Sequence, residues 1–289
     1  MLSPAPLPFK TMMDFCSFPR LSGFTLLQVS GPEAAAFLQA QTMNDVLTLT
    51  TGQWQWNGWL NPKGRVIALF ALLKAADEQF LAILPDFPAA ELLPRLQRFV
   101  FRARVQLQVV ADLACAVDIG VEPRQEAGQV LDFSGDGGQR RLLLLPVASP
   151  LLGDPDPETD ARWYGMDLAH GLPRLPESQR EAWTPQMLSL ERLSAFSLKK
   201  GCYPGQEIVA RTHYLGQAKR QLVRLAGTTL AAGSEILDDT GRPLGSLVCA
   251  NAEGHEGLAV MAAADSALRL TNGSLVTRLK LQGGLQRPL

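Results

Sequence analysis

The sequence predicts an α+β fold that ends in a small antiparallel β-barrel. Three observations indicate this class: many short segments with strand character, few segments with helical spacing, and a change of pattern near residue 218. The chain has 289 residues, of which 46% are hydrophobic and 19% are charged, so it can bury a sizeable core. This length predicts about two domains, or three.

The first part of the chain mixes strands with two helices. Strand character is found at residues 24–30, 54–60, 65–73, 79–85 and 104–110. The turn sequence NPKG joins the second of these strands to the third. One helix is predicted to begin at Pro32, because proline and the acidic Glu33 are favoured in a first helical turn. The segment AAELLPRLQRFV predicts a second helix, interrupted at Pro94.

The middle and the end of the chain differ in pattern. Residues 114–120 and 140–147 are predicted strands, 151–160 a surface loop, and 161–171 a helix closed by Gly171. From residue 218 onward, short strands alternate with glycine turns, which is typical of a small antiparallel barrel. Four barrel strands are predicted, at residues 220–227, 241–250, 257–263 and 274–282.

Composition excludes several classes of protein. Lys plus Arg is 27 and Asp plus Glu is 28, so a general nucleic-acid binder is not expected, although a local basic patch stays open. The four cysteines form no CxxC pair and there are only three histidines, so no metal site is predicted. Without a charged leader, and without an apolar run of about 20 residues, we expect a cytoplasmic protein with reduced thiols and no membrane partner.

The segment KKGCYPGQEIVAR (199–211) places Cys202 just before a predicted helix that runs from about 205 to 215, with Gly216 as its C′ residue. A helix N-terminus and the nearby Lys199 and Lys200 each favour a thiolate, so a lowered thiol pKa is one hypothesis. The other is a small buried apolar residue in a tight turn. For Cys16, Cys115 and Cys249 the buried structural interpretation is preferred, because they lie in apolar or strand contexts.

Aromatic and histidine side chains give weaker signals. The spacing of Trp54, Trp56 and Trp59 places the first two on one face of a strand and the third on the other, as core or as the wall of a pocket. His170 and His213 have no Asp or Ser partner at a recognised spacing. We therefore predict structural or surface roles for both histidines.

Four blocks, in this order, carry a resemblance to a known family: QAQTMNDV (39–46), GWLNPKGRVIALF (58–70), GLPRL (171–175) and WTPQMLSLERLSAFSLKKGCYPGQE (183–207). The resemblance covers nearly the whole chain, and the KGCYxGQE block is highly specific. The chain resembles the YgfZ family of folate-binding proteins, which is related to the T-protein of glycine cleavage, an aminomethyltransferase.

The resemblance implies a three-domain cloverleaf around a central channel that binds tetrahydrofolate. The corresponding segments are 1–111, 112–217 and 218–289, and the motif KGCYPGQE of the second segment could pack back on the first. The resemblance makes Cys202 the functional thiol and Trp163 the wall of the folate pocket. Tyr203, Lys200 and Arg211 are the further residues predicted to bind the cofactor. The cations Lys199, Lys200, Arg211 and Arg220 either serve an anionic partner, such as the folate glutamate tail or a tRNA phosphate, or are solvated surface charges.

Two departures from the T-protein bear on activity. Ala68 and Leu69 occupy the positions that hold its catalytic acid, and Asp167 and Ala169 replace an arginine and the glutamate that contacts the pterin. The first departure removes the catalytic group, and the second predicts weak folate binding.

The resemblance therefore favours a folate-binding accessory protein that supports iron–sulfur enzymes, including radical enzymes that thiomethylate tRNA. Iron–sulfur client proteins would be transient partners, and tRNA a further one. Two alternatives stay open: a folate-dependent aminomethyltransferase, and a thiol-dependent enzyme that uses Cys202. The missing acid at position 68 weighs against catalysis of aminomethyl transfer, and no histidine base lies at a recognised spacing from Cys202.

Overall fold

Three β-sheets, one of them a closed barrel, form the fold of this protein, which we describe from a computed structural model covering residues 17–120, 128–216 and 219–287. The first strand, β1 (Phe18–Arg20), belongs to the second sheet, where it pairs with strands that come much later in the chain. None of the helices in the described ranges is long and apolar enough to cross a membrane.

The first sheet is antiparallel and has the order β3-β4-β5-β2-β6. Its strands are β2 (Thr25–Ser30), β3 (Trp54–Leu60), β4 (Val66–Ala76), β5 (Gln79–Leu84) and β6 (Gln106–Val110). Helices α1 (Ala34–Gln41) and α2 (Ala89–Gln97) cover one face, where Phe37 and Leu92 join a buried cluster with the sheet residues. The five predicted strands and the NPKG turn are confirmed.

Both helices of the first sheet differ from their prediction. Helix α1 begins at Ala34, because Pro32 and Glu33 lie in a turn that the Ala34 N–H closes by donating to the Gly31 carbonyl. Helix α2 is not interrupted, and Pro94 lies inside it. The proline removes one backbone donor, whereas the buried face of α2 packs on the sheet and holds the nine-residue helix together.

The second sheet has the order β10-β1-β7-β9-β8. Its later strands are β7 (Leu113–Asp118), β8 (Gln129–Asp132), β9 (Arg141–Pro146) and β10 (Leu152–Pro155). The prediction of a surface loop at 151–160 is wrong, since these residues form β10 and the first turn of α3 (Pro157–His170). Asp156 caps this helix by accepting the N–H groups of Glu158 and Thr159, and Gly171 ends it with φ 68°.

After helix α4 (Gln206–Leu215), the chain forms a closed antiparallel barrel with the order β11-β14-β13-β12-β15-β16. Its strands are β11 (Gln221–Ala226), β12 (Glu235–Leu237), β13 (Pro243–Ala250), β14 (Glu256–Met261), β15 (Leu268–Leu270) and β16 (Leu275–Leu279). The predicted barrel is confirmed. Strands β12 and β15 were not predicted, because three residues are too few to display a period of two.

The largest buried cluster joins all three sheets. It contains Trp56 from the first sheet, Leu144 from the second and Leu258 from the barrel. Trp54 packs against the same cluster, whereas Trp59 belongs to the cluster beneath α1 and α2, so the predicted opposite faces are confirmed. The α+β class with its three-part architecture is thereby confirmed, while the bounds of the three segments stay a prediction.

Candidate functional site

The motif KKGCYPGQE forms a loop between a short 3-10 turn (Leu190–Leu193) and α4, and it presents Cys202 as an exposed free thiol. Gly205 precedes α4 with φ 79°. A Cβ atom at this position would lie 2.6 Å from both the Asn61 carbonyl oxygen and the Gly64 Cα. Only glycine allows this conformation and this close approach to the NPKG turn.

Lys200 anchors the loop from inside. Its Nζ donates to the carbonyl oxygens of Thr42 at 2.5 Å and of Asn44 at 2.9 Å, and it lies 5.0 Å from the centre of the Tyr203 ring. Burial lowers the pKa of this amine to about 8. Lys200 is therefore committed to the neighbouring backbone.

The rest of the motif is held by hydrogen bonds within the loop. The Tyr203 hydroxyl donates to the Ser197 carbonyl at 3.4 Å, and burial raises its pKa to about 12. Gln206 Nε2 donates to the Lys200 carbonyl at 3.2 Å. Residues 42–44, the 61–64 turn and the motif are distant in sequence and meet here. Three of the four sequence blocks therefore build one site around Cys202.

A cavity of about 970 Å³, the main cavity, lies beside this loop. Its wall combines connections of the first sheet, the segment that leads into the motif, α4, the barrel and the C-terminal segment. Its polar and charged lining residues include Asn44, Asp45, Gln186, Glu191, Lys199, His213, Gln221 and Arg287. Cys202 is not among the lining residues, but Lys199, three residues before it, is. The thiol therefore lies close in sequence to the wall of the cavity.

Two buried amides at the main cavity have different hydrogen-bonding states. Asn44 Nδ2 donates to the carbonyls of Ser194 at 2.7 Å and of Trp56 at 2.9 Å. Gln186 Nε2 donates to the Val209 carbonyl at 2.7 Å, whereas its Oε1 has no partner among the described residues. A buried acceptor without a donor is costly, and a ligand N–H group that reached Gln186 Oε1 after a small shift of this side chain would relieve the cost.

Charged groups of both signs face the main cavity. Lys199 is exposed, and burial raises the pKa of the Glu191 carboxyl. Arg287 lies 5.1 Å from the Trp54 ring centre, and its Nε donates to the Asp132 carbonyl at 3.0 Å. Burial lowers the pKa of Arg287. The two terminal nitrogens of Arg287 also donate to backbone carbonyls, of Gly284 and Gln286 and of Asp132 and Ser134. The exposed Lys199 is therefore the cation that can pair with a ligand carboxylate in the cavity.

Trp163 lies in a closed aromatic cluster. Its side chain is fully buried, with the Phe133 ring centre at 5.3 Å and the Arg140 guanidinium at 4.6 Å. Neither Trp163 nor Tyr203 lines the main cavity. The role predicted for these two residues in cofactor binding stays a prediction, and a ligand can reach the Trp163 face only if Phe133 or Arg140 moves aside.

Asp167 belongs to a buried ion network. Its two carboxylate oxygens accept from Arg140 Nη1 at 2.6 Å and from Arg174 Nη2 at 3.1 Å. His170 is structural, as predicted: its Nδ1 donates to the Met166 carbonyl at 2.7 Å, and its Nε2 accepts from the Gly137 N–H at 3.3 Å. Burial lowers the pKa of this histidine.

The remaining predicted positions lie apart from one another. Ala68 is buried opposite Trp59 in the cluster beneath the helices, and Leu69 is buried on the other face of the sheet. Arg211 is exposed on α4. Helix α4 ends as predicted at Leu215, but Gly216 is extended, with φ −151°, and is not a left-handed C′ residue.

Sequence reasoning did not single out Asn44, Gln186 or Arg287. Asn44 and Gln186 lie inside the quoted sequence blocks, and this position could have marked them as site residues. Nothing in the sequence indicates that the C-terminal segment, which contains Arg287, reaches the cavity. Cys115 and Cys249 are buried, in keeping with their predicted structural role, and Cys16 lies outside the described residues. Across the described ranges, no three His, Cys, Asp or Glu side chains are grouped to hold a metal ion.

Comparisons with known proteins give the fold and the family. No protein-family model matches the chain. A solved structure of the glycine cleavage system aminomethyltransferase T from Bartonella henselae matches with a TM-score of 0.70 and 14% identity, covering 94% of this chain and 89% of that one. The fold is therefore that of the aminomethyltransferases.

Curated relatives give closer matches in sequence. The tRNA-modifying protein YgfZ of Vibrio vulnificus (strain CMCP6) is 30% identical over 249 residues, which is 78% of this chain and 74% of the relative. The protein of the same name from Edwardsiella ictaluri is 28% identical over 291 residues, 87% of each chain. Because this similarity extends over most of both chains, the protein belongs to the YgfZ family.

Proposed function

We propose that this protein is a cytoplasmic folate-binding accessory protein that supports iron–sulfur enzymes, including those that thiomethylate tRNA. The observation that carries the proposal is the convergence of residues 42–44, 61–64 and 199–206 on one loop, which presents an exposed thiol three residues from a wall residue of a large cavity. The curated relatives are named tRNA-modifying proteins, and these names support the proposed role in tRNA modification.

The residues at the main cavity fit a reduced folate. Its volume of about 970 Å³ is at the upper end of pockets that hold drug-sized ligands. Lys199 offers positive charge to the glutamate carboxylates, and Gln186 offers an acceptor to a pterin N–H group once its buried Oε1 turns toward the cavity. When bound, a reduced folate supplies a carrier for one-carbon units and a ring that is readily oxidised.

The thiol of Cys202 suits a transient role. Thiolates are the usual ligands of iron–sulfur clusters, and such clusters take about four of them. Cys115 and Cys249, the other free cysteines of the described residues, are buried. A single exposed thiol can therefore take part in a transfer or repair step with a client protein, whereas it cannot hold a cluster by itself.

Aminomethyl transfer is disfavoured by the groups at positions 68 and 69. A proton donor or acceptor must lie within hydrogen-bond reach of the reacting nitrogen. Ala68 and Leu69 have no such group, and both are buried in core clusters of the first sheet. An accessory role therefore agrees better with these positions than transfer catalysis does.

The decisive experiment is complementation of a bacterial strain that lacks its own YgfZ-family protein. Thiomethylated tRNA nucleosides are quantified by mass spectrometry after expression of the wild type, Cys202→Ser, Cys115→Ser or Cys249→Ser. We expect the wild type and the two buried-cysteine variants to restore the nucleoside, and Cys202→Ser to fail while accumulating to the same level. Full restoration by Cys202→Ser would overturn the role of the thiol.

Folate binding is tested separately by calorimetry with tetrahydrofolate. We expect weak binding, with a dissociation constant on the order of tens of micromolar, or about 6 kcal/mol. Gln186→Leu, which removes the unpaired acceptor, should weaken it about ten-fold, whereas Gln221→Leu at the same cavity serves as the matched control. Absence of heat at millimolar ligand, or equal affinity in both variants, would overturn the cofactor assignment.

A further inference from the structure

A second, smaller cavity of about 350 Å³ lies on the first sheet's side of the motif loop. Its wall is formed by β3, β4 and the C-terminal end of α2, and it includes Trp59, Ile67, Arg95, Arg98, Phe99 and Pro204. Lys199 lines the main cavity and Pro204 lines this one, so the segment that presents Cys202 runs from one cavity to the other. We name this second site the Trp59 cavity.

The Trp59 cavity contains an unpaired buried donor. The Trp59 side chain is 6% exposed, and its Nε1 has no hydrogen-bond partner among the described residues. Its ring meets the Phe99 ring edge-on, with 6.1 Å between the centres. Leaving a buried N–H unsatisfied is unfavourable, and a ligand acceptor that reached Nε1 after a small shift of the cavity wall would relieve this cost.

Exposed arginine and phenylalanine side chains follow the lining residues Arg98 and Phe99 along the chain. Residues 95–104 read RLQRFVFRAR, with four arginines and no acidic residue, in a chain whose net charge is −1. Of the four, Arg104 is paired with Glu33, whose carboxylate lies 3.5 Å from its Nε. Phe101 is 86% exposed and Phe99 is 38% exposed. An aromatic ring that stays exposed contributes little hydrophobic stabilisation to the fold. Its presence among cations therefore points to a partner that offers both flat rings and negative charge.

Single-stranded RNA has this combination of properties. Its bases stack on aromatic side chains whatever their sequence, and its phosphates pair with arginines in an electrostatic groove. A base carbonyl or ring nitrogen supplies the acceptor that Trp59 Nε1 lacks. We propose that the Trp59 cavity and the exposed residues Arg98, Phe101 and Arg102 form a binding site for a single-stranded segment of RNA. The choice of RNA over DNA rests on the proposed function.

The test is a titration of the full chain into a fluorescently labelled single-stranded RNA of about eight nucleotides, followed by anisotropy. Phe101→Ala and Arg98→Gln should each raise the dissociation constant at least about five-fold, the range expected for loss of a stacked base or a phosphate contact. Arg98→Gln should also lower the slope of log affinity against log salt by about 0.7. Leu275→Ala and Arg269→Gln, which change one exposed apolar and one exposed cationic residue of the barrel, are the controls and should bind like the wild type.

Competition measurements in the same assay identify the class of ligand. Adenosine monophosphate and duplex RNA should compete far more weakly than the single strand, because one lacks the extended backbone and the other hides its bases. Competition by the mononucleotide as strong as by the single strand, equal affinity for single-stranded DNA, wild-type affinity in both test variants, or no binding at all would overturn the proposal. Cys202→Ser should bind RNA with wild-type affinity. Failure of the RNA proposal in the anisotropy assay is therefore distinguishable from failure of the thiol's role in the complementation assay.

Discussion

At the scale of single residues, two adjacent lysines have opposite surroundings. Lys199 is exposed at the main cavity, whereas Lys200 is buried and donates to two backbone carbonyls. The sequence predicts that both lysines favour the thiolate form of Cys202. A buried amine can satisfy both carbonyls whether or not it is charged, because even its neutral form has two N–H donors. Lys200 therefore shapes the loop, and Lys199 is left to meet a ligand.

The buried amine gives the protein a specific pH dependence. Burial lowers the pKa of Lys200 from 10.5 to about 8. Between these values the unfolded chain binds a proton that the folded chain has lost, so the free energy of unfolding rises with pH. The free energy of unfolding of the wild type, relative to that of Lys200→Met, should therefore rise by about 3 kcal/mol between pH 8 and pH 10.5. Below pH 8 and above pH 10.5 this difference should not change with pH.

Urea denaturation of both proteins across this range measures the gain. Lys199→Met is the control and should follow the wild type at every pH. A constant difference between the wild type and Lys200→Met would contradict the prediction.

The three described cysteines should differ sharply in alkylation. Burial raises the pKa of Cys115 to about 12 and also raises that of Cys249, and neither thiol is accessible. Cys202 is exposed. Iodoacetamide should therefore label Cys202 in the native protein, whereas the other two react only after urea is added, as peptide mass spectrometry would reveal. Native labelling of Cys115 or Cys249 at a similar rate would refute this.

At the scale of elements, the motif loop depends on a contact between two turns. Gly205 approaches Gly64 of the NPKG turn so closely that no side chain fits between them, and its φ of 79° disfavours any other residue. The loop between β3 and β4 and the start of α4 therefore fix each other. This contact holds the exposed thiol in place, since Cys202 lies only three residues before Gly205.

The two glycines of the motif should respond differently to substitution. Gly205→Ala should lower the free energy of unfolding by more than about 2 kcal/mol, since the left-handed backbone and a contact at 2.6 Å both oppose the new methyl group. At Gly201, nothing lies within 4 Å of the new Cβ. Gly201→Ala should therefore stay within about 0.5 kcal/mol of the wild type. Urea midpoints decide this, and equal losses in both variants would contradict it.

At the scale of the whole molecule, the three sheets share one core, and an ion network lies within it. Asp167 on α3 is held between Arg140, which immediately precedes β9, and Arg174 of the segment that follows α3. Arg140 in turn lies over Trp163. The network connects α3 to the aromatic cluster beside the first sheet, so a change of charge at its centre affects the packing of more than one sheet.

Removing the central charge should be severe. Asp167→Asn leaves two arginines in the interior without their carboxylate, which costs about 3–5 kcal/mol of unfolding free energy. Glu91→Gln changes an exposed carboxylate that lies 3.6 Å from Arg180, and it should cost less than about 1 kcal/mol. Thermal unfolding compares the two, and a loss of under about 1 kcal/mol in Asp167→Asn would show that the network is relaxed by water.

Much of the fold was open to prediction from local pattern. The five strands of the first sheet, the helix that ends at Gly171 and the barrel follow from period-two alternation, glycine turns and a helix stop signal. The misses have local reasons too. Strand β10 and the first turn of α3 were hidden because Pro and Asp residues suit a helix start as well as a loop.

The sequence by itself determined the fold class, the family resemblance and the choice of Cys202, because motif order and residue type do not depend on coordinates. The tertiary structure alone decided which neighbours of Cys202 face solvent. Lys200 and Tyr203 lie inward, Trp163 is closed off by Phe133 and Arg140, and Gln186 and Arg287 reach the main cavity from elsewhere in the chain. The reason is physical: burial and pairing depend on side chains brought together from distant segments, and one sequence position carries no record of its distant partners.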